Sequence, residues 1–107
     1  MSQPYATTQP ERSAIDAIDG TVALEFGTDW CGYCRAAAPI IATALMDYPG
    51  VRHIKVEDGS GRPLGRAFRV KLWPTLVILH KGREVARVVR PSDAAEVRKA
   101  IDQAADA

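Results

Sequence analysis

Apolar residues fall along the chain in compact runs that alternate with stretches of helical spacing. Val22, Ala23, Leu24 and Phe26, interrupted only by Glu25, predict a central strand over 21–27. Ala14, Ile15 and Ile18 predict a helix over 11–19, stopped by Gly20. A longer helix is expected from Cys31 to Tyr48, with Ala38, Ile41, Leu45 and Tyr48 on its buried stripe. Thr28 or Asp29 would cap it, and Pro39 would bend it by removing one backbone hydrogen bond. Pro49-Gly50 ends it, and Val51 to Val56 reads as a second strand with Ile54 and Val56 on one face. A polar, Gly-rich loop over 57–62 leads to a short helix carrying Leu64, Ala67 and Phe68. The run Leu76-Val77-Ile78-Leu79 is a fully apolar strand, and Val85 to Val89 returns as its antiparallel partner through a hairpin turn that uses Gly82. Ala94, Val97, Ile101 and Ala104 mark the inner stripe of a last helix that starts after Pro91-Ser92-Asp93. This order implies an α/β fold, a central mixed sheet of four or five strands with helices on both faces. Residues 1–10 are polar with two prolines and read as a flexible lead-in, with a short edge strand near Tyr5, before one domain over 11–107.

Composition changes this picture little and narrows the function. At 107 residues the chain is long enough for one core without disulfide staples. A net charge of +1 and the absence of a basic tract give no reason to expect nucleic acid as partner. No apolar run approaches the ~20 residues of a membrane helix. The first ten residues lack the basic and apolar regions of a secretory signal, so a cytoplasmic location is expected. In a reducing compartment a close Cys-x-x-Cys pair is more often catalytic or metal-binding than structural.

Both cysteines, Cys31 and Cys34, lie where a strand gives way to a helix. Three apart, they share one helix face and come within reach of a disulfide. Only the thiolate attacks a disulfide, and a free cysteine has a pKa of about 8.5. Cys31 at the helix start lies near unpaired backbone N–H groups and the positive dipole end, which favour its thiolate. Asp29 works against this and Arg35 offsets it. Cys34, one turn deeper, is the natural resolving thiol. A tetrahedral metal site is disfavoured, since Cys31, Cys34, His53 and His80 show no ligand spacing.

Trp30-Cys31-Gly32-Tyr33-Cys34, Pro39 five residues on, and Trp73-Pro74-Thr75 before an apolar hairpin and a final helix resemble the thioredoxin family over nearly the whole chain from Glu11. The resemblance implies a thioredoxin fold and thiol–disulfide exchange, with no bound cofactor. It also implies that Pro74 is cis and lies beside the cysteine pair, where the neighbouring backbone pairs with the substrate chain. Sequence alone would allow an ordinary strand-entry proline. Glu25 stands where thioredoxins carry a buried aspartate, an acid that accepts the proton of Cys34 through water. The alternative is a glutamate facing water or held in an ion pair. A basic partner for this acid on the next strand would be His53 or Lys55, depending on register.

Other positions depart from the family pattern. Gly32-Tyr33 differs from the Gly-Pro of thioredoxins, the Gly-His of protein disulfide isomerases and the Pro-Tyr of many glutaredoxins. Trp73 is larger than the usual aliphatic residue, and it either walls the substrate groove or packs in the core. Arg90-Pro91 replaces a glycine expected before the last helix, which favours an acidic partner peptide. The loop Asp58-Gly59-Ser60-Gly61-Arg62 lacks a P-loop pattern and reads as a solvated turn. The expected function is a thiol–disulfide oxidoreductase that acts as a monomer. Cys31, Cys34 and Glu25 are its catalytic residues, and Trp30, Gly32, Tyr33, Trp73, Pro74 and Thr75 contact the substrate. Its partners would be disulfide-containing proteins and a reductant, either a reductase or glutathione. The alternatives are a glutathione-dependent, glutaredoxin-like enzyme and a peptide-binding module without turnover.

Overall fold

Alternate residues of the strand Thr21–Gly27 (β1) serve two different cores, and this alternation organises the molecule. In the structure, a computed structural model that describes residues 4–105, the chain forms four strands and four helices. The helices are Arg12–Asp16 (α1), Gly32–Leu45 (α2), Pro63–Ala67 (α3) and Ala94–Ala105 (α4). With β1, the strands Arg52–Glu57 (β2), Thr75–His80 (β3) and Arg83–Val89 (β4) make one mixed sheet in the order β2-β1-β3-β4. β1 runs parallel to β2 and antiparallel to β3, and β3 and β4 form a hairpin. Lys81 and Gly82 both take positive φ in its two-residue turn, the conformation that matches strand twist.

Val22, Leu24, Phe26, Val77 and Leu79 face one side, where they pack with Ile15, Val56, Leu64 and Phe68 around α1 and α3. Ala23, Leu76, Ile78 and Val88 face the other side, against Ala37, Ile41 and Ala44 of α2 and Val97, Ala100, Ile101 and Ala104 of α4. Each large side chain buried this way contributes roughly 1.5–3 kcal/mol, so both layers hold the sheet. Glu25 is on the α2 side of the strand and is only 1% exposed.

Several boundaries differ from the sequence expectation. α2 ends at Leu45, three residues short of Tyr48, and its buried stripe is Cys34, Ala37, Ile41 and Ala44. The stripe is therefore rotated from Ala38 and Leu45, because Cys34 itself faces the sheet. Pro39 stays inside the helix on an exposed position. Neither Thr28 nor Asp29 caps this helix; Cys31 is the N-cap, without a side-chain bond. α4 is instead started by its own side chains: Asp93 accepts the Glu96 N–H at 3.0 Å, and Glu96 accepts the Ser92 N–H at 3.1 Å. The expected lead-in is anchored at Tyr5 and Ala6. Tyr5 is 5% exposed, and Ala6 forms a parallel bridge to Val56 through bonds to Lys55 and Glu57 of 3.0 and 2.9 Å. Residues 1–3 of that lead-in lie outside the described residues.

Candidate active site

Where β1 ends, Thr28 to Trp30 turn the chain, and the first bond of α2 runs from the Arg35 N–H to the Cys31 carbonyl at 3.0 Å. Cys31 has extended backbone at this N-cap and is half-buried, whereas Cys34, one turn further, is 1% exposed. Both are free thiols in mutual contact. Partial burial pushes the Cys31 thiol up. The Cys34 N–H and thiol, the Tyr33 N–H and the Arg90 guanidinium outweigh it, so Cys31 is held below its ordinary value. The helix start thus acts as expected, but the cation is Arg90 rather than Arg35. Burial pushes the Cys34 thiol up to about 11, against hydrogen bonds from the Thr28 N–H and the Tyr5 hydroxyl. Of the two thiols, Cys31 is the one that ionises more readily.

Below Cys34 the site continues into the protein. Gly27 has no room for a side chain: a Cβ there would stand 2.6 Å from both Cys34 Sγ and Tyr5 Oη. The Tyr5 hydroxyl donates to Glu25 Oε2, and His53 Nε2 lies 2.8 Å from Oε1. Both carboxylate oxygens of this buried acid are therefore partnered, as burial of a charge requires. Register pairs Glu25 with Lys55 and Ala23 with His53, so both basic residues lie on the Glu25 side of β2. His53 makes the contact with the carboxylate, and Lys55 Nζ lies 4.4 Å over the Tyr5 ring.

The second part of the site comes from the entry to β3. The Trp73–Pro74 bond is cis, the isomer the resemblance implies, and Pro74 and Thr75 are buried. Thr75 Oγ1 donates to the Leu72 carbonyl at 2.6 Å. Arg90 closes this turn from the end of β4: its N–H donates to the Pro74 carbonyl at 3.0 Å and its Nε to the Trp73 carbonyl at 2.8 Å. Two ring contacts join this part to the cysteine loop. Trp30 meets Trp73 edge-on at 5.8 Å, and the Arg90 guanidinium stacks 3.7 Å over Tyr33. Trp30 and Tyr33 remain 70% and 60% exposed, an apolar rim beside the half-exposed thiol. Gly32 opens onto empty space. Trp73 is a wall at this rim rather than a core residue, half-buried and fixed by Nε1 to Asp58 Oδ2 at 2.8 Å. The loop after β2, expected to be a solvated turn, thus contributes Asp58 to the site's frame.

Sequence reasoning missed Tyr5, Asp58 and the role of Arg90 beside Cys31. For Tyr5 the available signal was a lone aromatic in an otherwise polar lead-in. Among the described residues, no group of three or more His, Cys, Asp or Glu is placed to hold a metal, and no helix is long and apolar enough to cross a membrane.

The Thioredoxin family model matches residues 5–103. The structure of thioredoxin 2 from Pseudomonas aeruginosa PAO1 in its reduced form is 51% identical, covers 100% of both chains and superposes with a TM-score of 0.87. Thioredoxin of Chlamydia trachomatis is 32% identical over 94 residues, which span 87% of this chain and 91% of that one. Thioredoxin C-3 of Corynebacterium nephridii is 33% identical over 89 residues; these span 83% of this chain but only 61% of the relative. The family model over residues 5–103, the sequence identity with these thioredoxins and the superposition on thioredoxin 2 place this chain in the thioredoxin family of thiol–disulfide oxidoreductases.

Proposed function

We propose that Cys31 is the attacking thiol and Cys34 the resolving thiol of a monomeric, cytoplasmic disulfide reductase. The Cys31 thiolate attacks a substrate disulfide, one substrate sulfur leaves with its electron pair, and a mixed disulfide forms. Cys34 then loses its proton to Glu25 and attacks Cys31 Sγ. The second substrate sulfur leaves as a thiolate, so the substrate gains two electrons and the Cys31–Cys34 pair is oxidised. Trp30, Gly32, Tyr33, Trp73, Pro74 and Thr75 form the surface on which an extended substrate segment lies, its backbone pairing beside Pro74. A flavoprotein reductase or glutathione restores the dithiol, and no bound cofactor takes part. The observation that carries this reading is the asymmetry of the pair: a half-exposed Cys31 held low, above a buried Cys34 held at about 11.

Reduction of insulin in the presence of dithiothreitol tests it. Wild-type protein accelerates precipitation of the insulin B chain, and Cys31→Ser falls to the uncatalysed background. Equal rates for the two would overturn the proposal.

A further inference from the structure

Tyr5 is held with unusual completeness for a residue so near the chain start. Its N–H donates to Asp29 Oδ1 at 3.0 Å, and the bonds of Ala6 to β2 fix the backbone just beyond it. Lys55 covers the ring, and the hydroxyl points inward, into the space over Gly27, where it meets Cys34 and Glu25 together. A tyrosine hydroxyl has one proton to donate and lone pairs to accept. Here the proton is given to Glu25 Oε2 while Cys34 is a thiol, and the same hydroxyl can turn it to Cys34 once that sulfur is a thiolate.

We infer that Tyr5 is a catalytic residue that carries the proton of Cys34 to Glu25 by exchange through its hydroxyl, with His53 connecting the acid to water. The inference rests on the resolving role of Cys34 proposed above. In the step, the Cys34 proton moves to Tyr5 Oη while the original Tyr5 proton moves to Glu25 Oε2. Tyr5 stays neutral, Glu25 becomes a carboxylic acid, and the new proton stays on Tyr5 Oη, hydrogen-bonded to the Cys34 thiolate as it attacks Cys31 Sγ. Burial, followed by the Glu25 carboxylate, holds the Tyr5 hydroxyl far above its ordinary range, so it serves as a conduit and never as a free phenolate. Glu25 on β1, Cys34 on α2, Lys55 and His53 on β2, and Asp29 in the turn are the charged or titratable groups around it. His53, with a side chain 28% exposed, is the member of the path that meets solvent.

Ellman's disulfide separates the two chemical steps, because each releases one coloured thiolate. Attack by Cys31 gives the first phase and resolution by Cys34 the second. Tyr5→Phe keeps the ring and removes the relay, so the slowing falls on the second phase, on the order of tenfold or more at pH 7. The second phase of the variant then rises about tenfold per pH unit toward the titration of Cys34, while the wild-type profile is shallower. Glu25→Gln slows the same phase, and the double variant is no slower than the slower single variant, since both belong to one path. A thermal melt shows that the Tyr5→Phe protein used is folded. A second phase of wild-type rate and pH profile in Tyr5→Phe would overturn the relay while leaving the roles of the cysteines intact. Losses that multiply in the double variant would also overturn it. First reaction at Cys34 instead of Cys31 would overturn the relay and the proposed function together.

Discussion

Arg90 lays its guanidinium 3.7 Å over the ring of Tyr33 and at the same time donates Nε to the Trp73 carbonyl at 2.8 Å. It takes positive φ, 49°, to do so. One side chain therefore ties the cysteine loop to the cis-proline turn and places a cation beside Cys31. Arg90→Ala removes the cation, so the Cys31 thiol should titrate at higher pH than in the wild type. The pH dependence of iodoacetamide alkylation checks this, and an unshifted profile would show that the backbone N–H groups and Cys34 suffice.

Gly27 is a position at which even a methyl group has no room. A methyl group there meets Cys34 Sγ and Tyr5 Oη at 2.6 Å, and neither can retreat far from a buried position. Gly27→Ala should destabilise the protein by about 1–3 kcal/mol, the range for overpacking in a close-packed interior. For a domain of this size that lowers the melting temperature by roughly 4–8 °C per kcal/mol. An unchanged melting temperature would mean that Tyr5 and Cys34 are less tightly set than the structure has them.

Stability of the dithiol form should depend on pH through Cys34. Its folded pKa of about 11 lies above that of an unfolded thiol, so the native state holds the proton longer. The contribution is fully present below the unfolded value of about 8.5 and is lost as pH rises through about 11. The loss is on the order of 3 kcal/mol. Denaturant titrations of the reduced protein between these limits measure it. Cys34→Ala, which has no thiol to titrate, should lack this slope.

The order of elements, the helices on both faces of the sheet and the two motifs of the site were legible because they rest on local pattern. Val22, Leu24 and Phe26 alternate, Val97, Ile101 and Ala104 recur at helical spacing, and Cys31 and Cys34 are three apart. Tyr5 was hidden because its partner Glu25 is 20 residues away, and polar neighbours such as Thr7 and Gln9 masked its burial. The choice between His53 and Lys55 needed the register of β1 against β2 and the side-chain directions, which residue types do not specify. Arg90 announced itself only as a departure from the family pattern. Its partner Tyr33 lies across the fold, and no local rule connects a strand-end arginine to a helix-start tyrosine. The rotation of the α2 stripe has a similar origin: Cys34 was read as chemistry, yet it is also the first buried residue of the helix.

Trapping the mixed disulfide tests the division of labour between the two cysteines most directly. Cys34→Ser, incubated with a disulfide-bonded protein substrate, should accumulate a covalent adduct whose peptide map places the bond on Cys31, and Cys31→Ser should accumulate none. An adduct that forms on Cys34 of the Cys31→Ser protein at a comparable rate, or a Cys34→Ser protein that fails to trap substrate, would contradict the account.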